Sequence, residues 1–251
     1  MRSRFFLSIG MLSVLLFACE RPPEVVFESP SRSSSSASSQ RLEVNAEASS
    51  NASFIQQQMD PVTIPGSVLI KMVFAPQAPH ANWDEPYQEA CEEASLIIVH
   101  HYLTGAPLSR EDADREILAM VAWENEHFGG YEDTTAAQVK QIAEEHLGRS
   151  AEVTYDPTIE DIKQQLARGN PVIVPAAGRD LGNPYFSGEG PWYHMLVIVG
   201  YDEDEFVTHD VGTRRGENYR YGQQVLYDAI HDWTGVKEEI RSGRKAMIVL
   251  R

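Results

Sequence analysis

The side chains of Cys91, His194 and Asp210 have the chemistry of a thiol nucleophile, its base and an acid that orients the base. Cys91 is one of only two cysteines among the 251 residues, and it stands where a predicted helix begins. Free backbone N–H groups and the positive end of the helix dipole favour a thiolate at such a position. A neighbouring histidine can accept the thiol proton and so create the nucleophile. These residue types predict covalent chemistry on a carbonyl group.

His194 is chosen from eight histidines because it heads an apolar run, residues 195–199, with the pattern of a buried strand. An acidic turn, residues 202–204, leads to a second strand-like segment that ends at Asp210. A hairpin centred on Asp202 would place His194 directly opposite Asp210, with Cβ atoms about 4.5–5.5 Å apart. We therefore expect the carboxylate to bond the imidazole, whereas a shift of one residue in register would separate them.

Glu92 and Glu93 follow the candidate nucleophile directly. A carboxylate beside a thiol raises the thiol pKa, which opposes formation of the nucleophile. Acids in the first turn of a helix also suit the helix dipole. We interpret both residues as first-turn acids and expect a histidine to stabilise the thiolate.

Apolar spacing and capping residues predict the elements that position these groups. Ala94, Ile97, Ile98 and His101 form one stripe at helical spacing before Gly105, which predicts a helix that begins at Cys91 and places His101 in the core. Further helices are predicted at residues 109–127, 135–148 and 158–168. Strands are predicted at residues 68–74, 151–155, 171–175, 193–201, 206–210, 219–227 and 245–250.

The order of these elements indicates the fold class. Helices that come first and antiparallel strands that come later favour an α+β domain, with a helical N-terminal half packed on an antiparallel β-sheet from the C-terminal half. The length suits one hydrophobic core, and we assign this domain to residues 61–251.

Residues 1–18 have the pattern of an export signal. Arg2 and Arg4 precede an apolar run that is shorter than the roughly twenty residues of a membrane span. Residues 16–19 resemble a bacterial lipoprotein box, which predicts lipidation of Cys19 and a membrane-anchored protein at the bacterial cell surface or in the periplasm. A plain secretory signal and an uncleaved anchor are the alternatives.

Residues 19–60 are rich in serine and lack an apolar period, which predicts a flexible tether between a membrane and the domain. If Cys19 carries a lipid, Cys91 has no disulfide partner in the chain. An unpaired thiol in an exported protein is either reactive or a small buried hydrophobe.

The overall charge and the histidine spacing argue against other classes of protein. A formal net charge of -16 repels phosphate backbones, so we expect no nucleic-acid partner. His100 and His101 point in different directions on a helix. Glu124 and His127 have the spacing of carboxylate-bridged metal bundles, but no second copy of the motif occurs. We therefore expect neither a metal nor a cofactor.

Three segments, taken in order, resemble the papain-like cysteine peptidases related to the bacteriocin-processing (double-glycine leader) peptidases. The first consists of two stretches, residues 73–77 and residues 91–95. The second is residues 194–202, and the third is His209-Asp210. The resemblance covers roughly residues 64–251 and implies a papain-like fold. It also implies hydrolysis of peptide or amide bonds.

The resemblance implies a role for each matching residue. Cys91 is then the nucleophile, His194 is the base, and Asp210 orients the imidazole. An upstream glutamine donates to the oxyanion in this family, which implies Gln77 here, and Gln88 is the alternative.

The sequence departs from the family pattern at two places. Glu92 stands where a glycine often follows the nucleophile, and residues 78–87 look inserted between Gln77 and Cys91.

The glycine-rich loop of residues 178–192 runs into the candidate base, so we expect Trp192 and Tyr193 to line a substrate groove. Arg214-Arg215 either meets a substrate carboxylate or forms a solvated hairpin tip. The predicted function is an exported thiol hydrolase with a peptide or amide substrate. A catalytically inactive peptide-binding lipoprotein and an amide or acyl transferase with the same triad are the alternatives.

Overall fold

The computed structural model of the protein describes residues 64–251. The predicted export signal (1–18), tether (19–60) and lipidation residue Cys19 lie outside the described residues. The α-helices in the described part are α1 (Cys91–Thr104), α2 (Arg110–His127), α3 (Ala136–Glu145), α4 (Ile159–Ala167) and α5 (Gln223–Ala229). None of them is both long and apolar enough to cross a lipid bilayer.

The strands form one antiparallel sheet. They are β1 (Val68–Leu69), β2 (Ala151–Tyr155), β3 (Val172–Ala177), β4 (Tyr193–Tyr201), β5 (Glu205–His209), β6 (Tyr219–Gly222) and β7 (Ala246–Leu250). Their order is β2-β7-β3-β4-β5-β6, and β1 pairs with the C-terminal end of β4. Gly200 permits this close approach, because a Cβ at that position would lie 2.3 Å from the Val68 carbonyl oxygen.

Local sequence explains where the helices begin and end. The side chains of Ser109, Thr135 and Thr158 each accept a hydrogen bond from the backbone N–H three residues later and so cap α2, α3 and α4. Such caps satisfy backbone donors that a helix leaves free, and each contributes about 1 kcal/mol. Gly105 ends α1 in the left-handed conformation, with φ of 69°.

The core lies on both faces of the sheet. α1, α2 and α3 cover the face that carries Met195 and Val197 of β4. α4 and α5 cover the opposite face, where Leu196 and Ile198 point. All nine residues of β4 are buried, as expected for a central strand. The first turn of α1 therefore meets the beginning of β4, which brings Cys91 next to the segment that carries His194.

The structure confirms the α+β class and corrects two elements. The strand predicted at residues 68–74 is limited to Val68–Leu69. The Ile70 N–H makes one more bond to β4, to Val199 O (2.7 Å), and further along the chain the Gln77 N–H donates instead to Val211 O (2.9 Å). The strand predicted at residues 219–227 ends at Gly222. Residues 223–229 form α5 instead, because Leu226 and Ala229 reach the core at helical spacing.

Candidate active site

Cys91 is the first residue of α1, and its side chain is almost buried, with 6% exposed. The Sγ atom donates to Glu92 Oε2 (3.0 Å) and accepts from the Met195 N–H of β4 (3.3 Å). Within residues 64–251 no hydrogen bond joins this sulfur to His194. Burial, and then the charge and hydrogen bond of Glu92, raise the thiol pKa well above its ordinary value. The sulfur in this arrangement is a neutral thiol.

His194 and Asp210 form a buried pair, with His194 Nε2 2.8 Å from Asp210 Oδ1. Asp210 also accepts from Asn183 Nδ2 (2.9 Å), the Tyr221 hydroxyl (2.5 Å) and the Gly212 N–H (3.1 Å). Burial by itself raises the pKa of Asp210, but His194 and the other donors outweigh burial and lower the pKa below its ordinary value. Asp210 is therefore an ionised carboxylate that holds one edge of the imidazole.

The strand register that predicted this pair is wrong, although the pair is present. Val197 lies opposite His209 and Ile198 opposite Thr208, and an irregularity follows before Gly200. This register is shifted by two residues from the predicted one. A shift of two keeps side chains on the same face of a sheet, so the carboxylate, just beyond the end of β5, reaches the imidazole diagonally.

Close packing fixes the plane of the imidazole. The Phe186 ring meets the His194 ring edge-to-face, with 5.3 Å between centroids. A Cβ at Gly212 would lie 2.7 Å from His194 Cε1, so only glycine fits there without displacing the ring. The ring is thus held by packing as well as by Asp210.

A cleft of about 760 Å³ opens over this pair. Its lining includes all the residues that the sequence predicted for the site within the described part of the chain except Asp210: Cys91, His194, Gln77, Gln88, Trp192, Tyr193, Arg214 and Arg215. Asp210 lies behind the imidazole and is completely buried.

The predicted substrate-contact residues differ in exposure. Trp192 is half-buried and stacks against the guanidinium of Arg179, 3.7 Å from the ring centroid. Tyr193 is only 4% exposed, and its hydroxyl already donates to the Thr134 carbonyl (2.7 Å). Arg215 is exposed over the ring of Tyr185. Trp192 and Arg215 are therefore the more accessible of these groups.

Gln77 lies in the cleft, but its amide is already engaged. The Nε2 atom lies 2.9 Å from both Tyr87 O and Gln88 O and donates to them. The Oε1 atom is buried and has no hydrogen-bond partner within residues 64–251. The side chain of Gln88 is exposed and makes no such bond in the described part of the chain. Gln77 must leave one carbonyl before it can donate to an oxyanion.

Glu92 and Glu93 lie in the first turn of α1 as predicted, but both are completely buried, which the sequence did not predict. Glu92 Oε1 accepts from Thr134 N–H (2.8 Å) and Thr134 Oγ1 (3.2 Å), which leaves Oε2 for the thiol. Burial, followed by the charge of Glu93, raises the pKa of Glu92 to about 8. The acids face the protein interior because α1 is buried around its first turn.

Glu93 faces a second buried acid, Glu124 of α2. None of their four carboxyl oxygens has a hydrogen-bond donor among the described residues. Burial, followed by the charge of Glu124, raises the pKa of Glu93 well above its ordinary value, and burial also raises that of Glu124. The raised pKa values of both acids favour at least one proton on this pair at neutral pH.

Sequence reasoning missed Asn183, Tyr221 and Thr134, which position the acids of the site. No local signal identifies them, since each reaches its partner across a distance of many residues along the chain. His101 lies in the interior as predicted, 3.0 Å from Glu116 Oε2. Within residues 64–251, no three acidic, histidine or cysteine side chains are grouped so that they could hold a metal ion.

Comparisons with solved structures find the following similarities. A putative C39-like peptidase from Bacillus anthracis superposes with a TM-score of 0.50 at 15% identity, over 74% of this chain and 98% of that one. UfSP from C. elegans matches with a TM-score of 0.43 at 10% identity, over 78% of this chain and 36% of that one. Xylellain, a cysteine protease from Xylella fastidiosa, matches with a TM-score of 0.37 at 12% identity, over 75% and 87%. No curated protein matches the chain.

A model of the Peptidase_C39 like family matches residues 71–239, which is more than half of the chain. The match spans the nucleophile candidate, the candidate base and the acid behind it. The chain therefore belongs to the Peptidase_C39 like family and has an α+β fold similar to that of the putative C39-like peptidase.

Proposed function

We propose that this protein is an exported thiol hydrolase that cleaves peptide or amide bonds through a thioester on Cys91, with His194 as base and Asp210 as orienter. The observation that carries the proposal is the bond of 2.8 Å between His194 Nε2 and Asp210 Oδ1, beneath a cleft that Cys91 also lines. Membership of a peptidase family supports a peptide substrate.

The proposed reaction uses the two nitrogens of the imidazole differently. Asp210 accepts the hydrogen on Nε2, so Nδ1 is the basic nitrogen that takes the proton of the Cys91 thiol. The sulfur then forms a bond to the substrate carbonyl carbon, and the protonated His194 gives its proton to the leaving amine as the C–N bond breaks. Water, deprotonated by His194, hydrolyses the thioester and regenerates the thiol.

The oxyanion that forms in each step needs donors. We propose the Cys91 backbone N–H as one, because a helix leaves its first N–H groups without intrahelical acceptors. Gln77 is the donor that the family resemblance implies, but both of its carbonyl contacts compete with that role. Gln88 is free to turn into the cleft. Comparing kcat for Gln77→Ala and Gln88→Ala identifies the donor, since its loss should lower kcat by about 100-fold or more.

The cellular part of the proposal rests on the N-terminal sequence alone. Residues 1–18 would direct export, and a lipid on Cys19 would anchor the protein to a membrane. The test is fractionation of cells that express Cys19→Ser. The variant should leave the membrane fraction for the soluble fraction, and retention on the membrane would contradict the lipid anchor.

A catalytically inactive peptide-binding protein is the second candidate. The observation that favours it is the neutral Cys91 thiol, which is bonded to Glu92 and not to His194. An amide or acyl transferase would pass through the same thioester and differ only in the acceptor.

Labelling with a thiol-directed probe at neutral pH separates an active site from an inactive one. We expect modification of Cys91, no modification in Cys91→Ala, and a rate lower by about 100-fold in His194→Ala, since a positioned base contributes about 10²–10⁴-fold. Cys91→Ala should also lose all turnover while keeping the wild-type circular dichroism.

Cys19→Ser is the matched control for labelling, because the chain has only these two cysteines. Its labelling at Cys91 should equal that of the wild type. If Cys91 is labelled at the same rate in His194→Ala as in the wild type, the hydrolase proposal is contradicted and the peptide-binding one remains.

A further inference from the structure

The position of the Cys91 sulfur is set by two contacts that the hydrolase mechanism does not use. Glu92 Oε2 accepts the thiol proton at 3.0 Å, and the Met195 N–H donates to the sulfur at 3.3 Å. Within residues 64–251 His194 Nδ1 has no hydrogen-bond partner. This nitrogen is available to accept a proton, but the thiol donates to Glu92 instead. The sulfur must leave Glu92 before its proton can pass to the imidazole.

The carboxyl group of Glu92 is itself held firmly. Its Oε1 accepts from both the backbone N–H (2.8 Å) and the hydroxyl (3.2 Å) of Thr134, and the Thr134 carbonyl accepts the hydroxyl of Tyr193 (2.7 Å). All three side chains are buried. A carboxyl group fixed on one oxygen presents the other oxygen to the thiol in one direction only.

We propose that Glu92 is a positioning residue that holds the Cys91 thiol in a resting orientation, from which the sulfur must turn to His194 before it attacks. In this step the S–H···Oε2 hydrogen bond breaks, an S–H···Nδ1 bond forms, and the proton passes to Nδ1 to leave a thiolate. Rotation about the Cα–Cβ bond between staggered positions is enough to move the sulfur. The inference deepens the proposed function, on which it rests for the role of His194.

The orientation of the thiol depends on its hydrogen bond to Glu92 and not only on the charge of a nearby acid. Glu93 allows these two effects to be separated. Glu93 is equally buried, lies on the same helix and also raises the pKa of Cys91, yet within residues 64–251 its carboxyl group makes no hydrogen bond to the sulfur. The titratable groups around Cys91 and Glu92 are Glu93 and Glu124 on α1 and α2, Tyr193 and His194 on β4, and Asp133 and Asp232 in the adjoining loops.

The test is the rate of iodoacetamide alkylation of Cys91 in the full-length chain between pH 5 and pH 10. Glu92→Gln should react about 10-fold faster than the wild type at pH 7, with the midpoint of its pH profile at lower pH, because the Thr134 donors keep the amide oxygen and the amide NH2 group cannot accept the thiol proton. Glu92→Asp should also react faster, since it keeps the carboxyl group but withdraws it from the sulfur by one methylene group. The matched control, Glu93→Gln, should change the rate by less than about 3-fold, as a charge change without contact does.

The accelerated reaction must still depend on the imidazole. Adding His194→Ala to Glu92→Gln should abolish the acceleration. If the substitution only opened the site to the reagent, the acceleration would remain without the imidazole. The proposal is overturned if Glu92→Gln is no faster than the wild type, if Glu93→Gln accelerates labelling equally, or if Glu92→Asp reacts like the wild type.

Thr134→Val provides a second route if the Glu92 variants do not fold. It removes the hydroxyl that holds Glu92 and preserves the shape of the side chain, so labelling should rise by about 3-fold, whereas Thr134→Ser should match the wild type. An unchanged rate in Thr134→Val overturns the proposal. Labelling of the wild type that is independent of His194 contradicts the hydrolase instead, so the two failures are distinguishable.

Discussion

The buried acid Asp210 and the buried pair Glu93 and Glu124 have pKa values shifted in opposite directions. Asp210 is completely buried yet accepts four hydrogen bonds, and its pKa is lowered. Glu93 and Glu124 are equally buried but have no donor for any carboxyl oxygen in the described part of the chain, and their pKa values are raised. Burial alone therefore does not decide the charge of an acid. The supply of hydrogen-bond donors does.

The difference suits what each group would do beside a thiol. An ionised Asp210 stabilises the imidazolium that forms when His194 takes a proton. A protonated Glu93–Glu124 pair adds less negative charge beneath Cys91 than two carboxylates would, and so opposes thiolate formation less. Glu92 is intermediate, with donors on one oxygen and the thiol on the other.

The largest expected effect is on the donor-rich acid. Asp210→Asn should lower kcat/KM by about four orders of magnitude on any peptide that the wild type hydrolyses, because the amide cannot hold the imidazole in the same tautomer or stabilise its positive charge. The loss should remain smaller than that of Cys91→Ala. A loss below about 10-fold would show that the charge of Asp210 is not used.

Stability should depend on pH in opposite directions at the two groups. An acid whose folded pKa is raised, as for Glu93, stabilises the fold below its unfolded pKa, and this contribution is lost as pH rises through the folded pKa. For Asp210, whose pKa is lowered, stability is present above the unfolded pKa and is lost as pH falls through the folded pKa.

Glu93→Gln measures the first of these contributions. The substitution removes a titrating group and supplies an N–H donor to Glu124, so the decline in unfolding free energy between pH 5 and pH 9 should become shallower than in the wild type. Urea unfolding at each pH gives the free energy of unfolding, with Glu126→Gln, an exposed acid on α2 close in sequence to Glu124, as control. Parallel profiles of unfolding free energy against pH for the wild type and Glu93→Gln would show that Glu93 does not cause the decline.

Removing one hydrogen-bond donor from Asp210 tests how much its donors stabilise the fold. Tyr221→Phe deletes the hydroxyl that donates at 2.5 Å, and should lower the free energy of unfolding by about 1.5–3 kcal/mol at neutral pH, the usual contribution of a hydrogen bond to a charged group. Tyr219→Phe is the matched control, since the Tyr219 hydroxyl makes no hydrogen bond within residues 64–251. Equal losses in both variants would mean that ring packing, not the donor, is measured.

An exposed acid with good donors should show the smallest effect. Asp156 lies 61% exposed and accepts from Arg244 Nε and Arg244 Nη2 at 3.0 and 2.7 Å. Asp156→Asn should lower the free energy of unfolding by only about 0.2–1 kcal/mol, because water replaces the ion pair. A loss as large as that of Tyr221→Phe would show that donors matter as much in water as in the interior.

Much of the fold was predictable because its signals are local. Capping residues and helical spacing predicted α1 to α4, and alternating or continuous apolar runs predicted β2 to β5 and β7. The strand predicted at residues 219–227 failed because the second half of that segment has both strand-like composition and helical spacing. Packing of Leu226 against the sheet selected the helix.

The sequence predicted which residues belong to the candidate site, but not which hydrogen bonds they make or how deeply they are buried. Cys91, His194 and Asp210 were identified from residue type and order, and the pair of His194 with Asp210 survived an error in register because the error was an even number of residues. The burial of Glu92 could not be predicted, because the first turn of a helix is usually solvated. It follows from the packing of α1 against β4 and the segment that carries Thr134.

The sequence by itself determined which chemical groups are available and in which elements they lie, because helix caps and apolar periods act over a few residues. Tertiary structure alone decided which acids are charged and where the thiol points. Those properties depend on donors from distant segments, such as Asn183 and Tyr221 for Asp210 and Thr134 for Glu92. Desolvation and hydrogen bonding in the interior are set by neighbours in space, which the order of residues along the chain does not specify.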